Sequence, residues 1–172
     1  MGNHQKLLNP FTWLTREIRT RKVLPYIPCL ETHIDIGCGP EKYLLKKSPC
    51  RIRIGFDQQA GQPLSDTIPA QNNSADCITL LASIEHLDCP EAIIRECHRI
   101  IKKDGKLIIT TPKAAGRWLM KIYHPGYELS EGPHQRYYNL DSMEVLLKGL
   151  FKINTYQAFM LGFNQLFICS KI

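Results

Sequence analysis

The stretch His33-Ile34-Asp35-Ile36-Gly37-Cys38-Gly39-Pro40 alternates polar and apolar residues and then breaks into Gly-x-Gly. Alternation of that kind reads as a short strand, and the glycines read as a tight turn at its end. Glycine at such a turn lets the backbone approach a ligand without an intervening side chain. Open parallel sheets bind their ligands at the carboxyl ends of the strands, with the turn after the first strand as the usual cradle. A lone Gly-x-Gly fits many ordinary strand-to-helix turns, so the flanking sequence has to carry the weight.

Downstream, Glu41 to Lys47 is expected as a short helix that Pro49 stops, and Ile52, Ile54 and Phe56 alternate as a second strand. That strand ends at Asp57, 18 residues after Gly39. An acid at the tip of a second strand is placed to accept hydrogen bonds from the hydroxyls of a ribose. Turn residues dominate Gln58 to Ser74, leaving room for no more than a stub of strand near Leu64 to Ile68. Ala75 to Leu81 is the next strand, and the loop Ala82-Ser83-Ile84-Glu85-His86-Leu87 leaves it at the same edge as Gly37 and Asp57.

Asp88-Cys89-Pro90-Glu91 has the look of a capped helix start, with Asp88 as cap. Ile93, Ile94, Cys97, Ile100 and Ile101 make its buried stripe, Lys102 and Lys103 suit its carboxyl end, and Gly105 is read as its terminator. Lys106 to Thr111 is a strand. Residues 113–138 hold Trp118, Tyr123, His124, Tyr127, His134, Tyr137 and Tyr138 and read as a lid or substrate loop. Leu140 to Leu150 is a helix with Asn139 or Asp141 near its cap, and Phe151 to Phe159 and Phe163 to Lys171 form a terminal hairpin, an antiparallel edge on a parallel sheet.

A chain of 172 residues is one domain by default, here 1–172, with residues 1–28 as a helical entry segment. In that segment Phe11, Leu14 and Ile18 share a helical face, expected to pack over the sheet or the cleft. No apolar run reaches bilayer length and no secretory apolar core follows Met1, so a cytoplasmic location without a membrane span is expected. The 7 cysteines form no Cys-x-x-Cys pair, which points to reduced thiols and to no metal site. A formal charge of +6 suits an anionic partner, but no aromatic run is interleaved with the basic residues, and no nucleic-acid partner is expected.

In its order of signals the chain resembles the class I S-adenosylmethionine-dependent methyltransferases, in particular the small-molecule group with a Glu-His-Leu loop. The resemblance implies an α/β fold: a Rossmann-like doubly wound sheet, mostly parallel with an antiparallel C-terminal hairpin, its third strand and second helix reduced. It identifies Asp35, Gly37, Cys38 and Gly39 with the glycine motif that receives the methionine part of the cofactor, and Asp57 with the ribose acid. It implies further contacts from Gln58, Asp66, Ile68, Leu81, Ala82 and His86. Three features depart from the family pattern: Glu41 replaces the third glycine, Leu64 stands where an acid near adenine is expected, and the segment after Asp57 is short.

The implied reaction is methyl transfer from S-adenosylmethionine to a small-molecule substrate by in-line displacement. The cofactor carries the hard chemistry and the protein supplies position and electrostatics, so a base is needed only where the acceptor loses a proton. His86 and His134 are the candidate bases. Two other readings stay open. One is a methyltransferase-like accessory or scaffold protein with weak or no cofactor binding. The other is a nicotinamide enzyme, against which Lys42 occupies the last position of Gly-x-Gly-x-x-Gly. Oligomeric state has no signature in the sequence.

Overall fold

The structure, a computed structural model, describes residues 10–57, 67–114 and 136–172. Helix α1 (Pro10–Val23) and a short 3-10 turn (Leu24–Tyr26) lead into β1 (Thr32–Ile36), α2 (Tyr43–Lys47) and β2 (Ile52–Phe56). After them come β3 (Ala75–Leu81), a second 3-10 turn (Ile84–His86), α3 (Pro90–Ile100) and β4 (Ile101–Pro112). The chain closes with α4 (Leu140–Leu147), β5 (Phe151–Phe159) and β6 (Asn164–Lys171).

The sheet runs β2-β1-β3-β4-β6-β5. The first four are parallel, and β6 inserts antiparallel between β4 and β5, as expected for the terminal hairpin. Strands buried on both faces account for the near-continuous apolar runs in β3 and β4. On one face Ile34, Ile36, Ile78, Leu80, Leu107, Ile109 and Phe167 pack with Ile94, Cys97 and Ile100 of α3 and Met143 and Leu147 of α4. On the other, Cys77, Ile108 and Leu166 pack with Val23, Ile27, Leu44 and Cys50.

Several boundaries differ from the sequence reading. Helix α2 begins at Tyr43 rather than Glu41 because the turn continues through Lys42, which is left-handed at φ 49°. Asp88 does not cap α3: the capping position is Cys89, with no side-chain hydrogen bond, and Pro90 starts the helix. The helix stops at Ile100, and Ile101, Lys102, Lys103 and Gly105 belong to β4. Tertiary contacts override the local pattern here, since Ile101 pairs with Ala75 and the Lys102 ammonium lies 2.8 Å from the Asp76 carboxylate. Gly105 serves close approach, because a Cβ there would stand 2.6 Å from Ile101 and 3.1 Å from the Ala75 and Asp76 carbonyls. Helix α4 ends at Leu147 rather than Leu150, and Asn139 and Ser142 form a reciprocal capping box at its start.

The entry helix turns the opposite way from the expectation. Leu14 and Ile18 are 47% and 38% exposed, while Glu17, Thr20 and Val23 face inward. The Glu17 carboxylate explains the orientation: Lys47 lies 2.7 Å away, Arg21 2.6 Å away, and the Tyr43 hydroxyl also donates to it. Lys47, Tyr43 and Arg21 together hold Glu17 well below the usual carboxylate range, at about 2. Ion pairing to α2 thus outweighs burial of a narrow apolar stripe.

Between β2 and β3 the described residues 67–74 contain no strand. Arg99 of α3 holds this segment instead. Its five N–H groups all find acceptors: the Ile68 and Ala70 carbonyls, the Asn72 side chain, and both oxygens of Glu96, at 2.7–2.9 Å. Glu96 also accepts the Ile68 backbone N–H at 2.9 Å. Most of the expected strand stub, with Gln58, Leu64 and Asp66, lies outside the described residues, as do Trp118, Tyr123, His124, Tyr127 and His134 of the expected lid.

Candidate functional site

The carboxyl ends of β1, β2 and β3 meet at the glycine turn. Gly37 and Cys38 donate their N–H groups to the Phe56 carbonyl at 2.7 and 3.3 Å, and Gly39 donates to the Asp57 carboxylate at 3.0 Å. The turn and the acid at the tip of β2 are therefore one rigid unit. On the β3 side, Ala82 is left-handed at φ 51° and its N–H bonds to the Thr110 carbonyl at 2.8 Å, which swings the chain across the same rim.

The two glycines have different reasons to be there. Both have positive φ, +78° at Gly37 and +65° at Gly39. A Cβ on Gly37 would stand 2.3 Å from Cβ of Ser83, whose hydroxyl is tied to the Ile36 carbonyl at 2.9 Å. The close approach at Gly37 is thus to the protein's own Ser83, a contact that the spacing of the motif does not announce. Among the described residues a Cβ on Gly39 would meet nothing within 4 Å, so it is Gly39 that fronts open space there. Cys38 turns inward against Gly55, where a Cβ would stand 2.6 Å from its sulfur. Burial first, then Asp35 and Asp57, push the Cys38 thiol up to about 11, so it is no nucleophile.

Asp35 is buried at the end of β1 and accepts the Thr79 hydroxyl at 2.6 Å. Burial raises its carboxyl to about 7 against the opposing Thr79 bond, and Asp57 adds to the rise. A cation arriving at this rim would favour the ionised form.

Glu41, which stands in place of the third glycine, points away from the turn to Arg16 of α1 at 2.7 Å. The same guanidinium lies over the Tyr43 ring, 4.2 Å from its centre. Its charge is thereby taken up by the entry helix. Of the remaining named residues, Leu81 is half-buried at the rim and Ile68 is buried in the core with Phe56. His86 is exposed at the end of its 3-10 turn, and its N–H bonds to the Ser83 carbonyl at 3.0 Å. Glu85 beside it is buried, and Arg136 braces this loop through its N–H to the Glu85 carbonyl and its guanidinium to the Asp88 carbonyl. Tyr138 is packed in the core. The described residues thus bring Asp35, Gly39, Asp57 and the Ala82 turn to one rim.

Sequence reading passed over Ser83, Thr79, Arg16 and Arg99. Thr79 was the most accessible of these: a lone hydroxyl inside Cys77-Ile78-Thr79-Leu80 calls for a partner, and parallel pairing in register puts it opposite Asp35. No group of three potential metal ligands occurs among the described residues, and no helix among them is long and apolar enough to cross a membrane.

A glycine turn on the first strand of a parallel sheet, an acid locked to it from the second, and a last strand inserted antiparallel make up the architecture of the class I S-adenosylmethionine-dependent methyltransferases. Comparison with known sequences narrows this. The family model described as "Methyltransferase domain" matches residues 14–150, and the chain belongs to that family, whose cofactor is S-adenosylmethionine. A ubiquinone biosynthesis O-methyltransferase of Pseudomonas paraeruginosa is 30% identical over 88 residues, 48% of this chain and 37% of that protein. The same enzyme of Pseudomonas putida F1 is 30% identical over 107 residues, covering 59% and 44%. The match therefore spans less than half the length of these curated relatives. Among solved structures, a SAM-dependent methyltransferase from Aquifex aeolicus superposes with TM-score 0.65 at 18% identity, covering 89% of each chain. Magnesium protoporphyrin IX methyltransferase from Synechocystis PCC 6803 with bound SAH gives 0.67 at 13%, covering 99% of this chain and 90% of that one. These two likenesses show the fold.

Proposed function

We propose that this protein transfers a methyl group from S-adenosylmethionine to a small-molecule acceptor by in-line displacement. The observation that carries the reading is the open front of Gly39 beside the Asp57 carboxylate, a cradle that a single Cβ would begin to fill. When bound, the cofactor supplies a methyl group made electrophilic by its sulfonium. The chain's part is placement: Asp57 takes hydrogen bonds from the ribose hydroxyls, and Asp35 supplies the counter-charge for the cationic end. Holding the reactants in line is worth several kcal/mol, up to about 7–11 in the best cases.

The matched Pseudomonas relatives are named for O-methylation, which supports an oxygen nucleophile. His86, exposed on the loop after β3, is the proposed base that takes a proton from it; His134 keeps that role as a proposal from sequence alone, as do the cofactor contacts of Gln58 and Asp66. Seven free cysteines support a reducing compartment, the cytoplasm. Titration with S-adenosylhomocysteine tests the reading by calorimetry and thermal shift. Saturable binding with a raised melting temperature is the expected result. No heat and no stabilisation at millimolar ligand would favour the accessory-protein reading.

A further inference from the structure

Behind Asp35 a line of polar side chains crosses the buried face of the sheet. The Cys50 N–H reaches the Ser48 hydroxyl at 3.3 Å, and Ser48 lies 2.8 Å from Nδ1 of His33. Nε2 of His33 lies 2.9 Å from the Thr79 hydroxyl, which bonds to Asp35 at 2.6 Å. His33, Ser48, Thr79 and Asp35 are all at least nine-tenths buried. His33 and Asp35 share a face of β1, and Thr79 pairs with Asp35 across β3 in register.

The Thr79 hydroxyl donates to Asp35, and one proton order along the line then gives every donor an acceptor. A backbone N–H can only donate, so Ser48 accepts from Cys50 and has its own proton free for Nδ1 of His33. His33 is then protonated on Nε2 and donates to Thr79, leaving the Thr79 proton for Asp35. Run the other way, with Asp35 protonated and donating, Ser48 would accept from both Cys50 and Nδ1 of His33, and its own proton would find no acceptor within the line. Burial, then Arg53, lower the His33 imidazole to about 4, which keeps the ring neutral as this order requires. Among the described residues, the titratable and charged groups facing Asp35 and His33 are Asp57 from the β2 side, Arg53 opposite His33 on β2, Cys77 from β3 and Cys38 from the turn.

We propose that His33 and Thr79 are positioning residues: the line Cys50–Ser48–His33–Thr79 holds the rotamer of the Asp35 carboxylate and favours its ionised form against burial, as counter-charge for the cationic end of the cofactor. This rests on the proposed function, since it takes the rim as the S-adenosylmethionine site. A merely structural role for the line would affect stability alone. A positioning role also makes cofactor affinity depend on pH.

The test is S-adenosylmethionine titration of wild type, Thr79→Val and Thr79→Ser from pH 5.5 to 8.5. In wild type, affinity rises with pH as Asp35 ionises. Thr79→Val removes the donor, moves that rise about one pH unit higher and weakens binding about tenfold at pH 7. Thr79→Ser restores both. A folded Thr79→Val with the wild-type profile overturns the proposal while leaving the proposed function standing. Wild type that binds no S-adenosylmethionine overturns both. Nitrogen-15 chemical shifts of His33 in the unliganded wild type need no variant: a neutral ring protonated on Nε2 is expected, and protonation on Nδ1 overturns the proposal.

Discussion

Gly37→Ala and Gly39→Ala make the same chemical change two residues apart, and the structure separates their effects. Each forces a side chain into left-handed backbone, at a cost of about 1–2 kcal/mol. At Gly39 nothing else is lost, because the new Cβ has no neighbour within 4 Å among the described residues. At Gly37 the new Cβ lands 2.3 Å from Cβ of Ser83, and Ser83 is held by its bond to the Ile36 carbonyl. Displacing it adds the overpacking cost, about 1–3 kcal/mol. Urea denaturation of the unliganded protein should therefore place Gly37→Ala about 2–5 kcal/mol below wild type and Gly39→Ala about 1–2. Ser83→Gly, alone and combined with Gly37→Ala, completes a cycle whose coupling should recover the overlap, about 1–3 kcal/mol, and leave the backbone strain. Calorimetry reverses the emphasis: Gly39→Ala, the milder change for stability, should lose at least about tenfold in S-adenosylhomocysteine affinity, because its methyl projects into the cradle. Equal stabilities for the two alanine variants, a coupling near zero, or wild-type affinity in Gly39→Ala would each refute the assignment of protein contact to one glycine and ligand space to the other.

Asp57→Ala should weaken cofactor binding by about 1.5–3 kcal/mol through loss of charge-assisted hydrogen bonds; identical titration curves would remove it from the site. Arg99→Met should cost about 1.5–4.5 kcal/mol, from three bonds to residues 68–72 at roughly 0.5–1.5 each, with a melting temperature about 3–18 °C lower; a melting curve unchanged within a degree would show the clamp to be idle. Asp35→Asn should change the pH dependence of stability. The Asp35 carboxyl is raised in the folded state from 3.8 to about 7, so the folded protein holds a proton that the unfolded chain releases. Its contribution is intact below pH 3.8 and is lost as pH rises to about 7. Wild type should thus lose ground to the Asn variant across that window, by about 1.4 kcal/mol for each unit of displacement. A difference between the two that is flat in pH would contradict this.

The elements legible in the sequence are those set by local periodicity. The alternation ending at Gly37, the spacing to Asp57, the run Ala75 to Leu81 and the terminal hairpin all reappear in the structure. Misreadings fall where a distant partner outvotes the local pattern. Lys102 looks like a helix tail until Asp76 is 2.8 Å away, and Leu14 and Ile18 look like a buried stripe until Glu17 is pulled inward by Lys47 and Tyr43. At the site, Asp57 and the glycines announced themselves by spacing. The partner of Gly37 could not be read, because Ser83 is 46 positions away and belongs to another strand's loop.

The Arg99 fork grips mainly backbone carbonyls, at Ile68 and Ala70, and only one side-chain acceptor on that segment, Asn72. Main-chain oxygens are the same whatever residue bears them, so evolution can rewrite the identities along this edge cheaply. What it cannot alter freely is their spacing: one inserted or deleted residue would carry every second oxygen out of the guanidinium's reach. The segment should drift in composition across descendants while keeping its length.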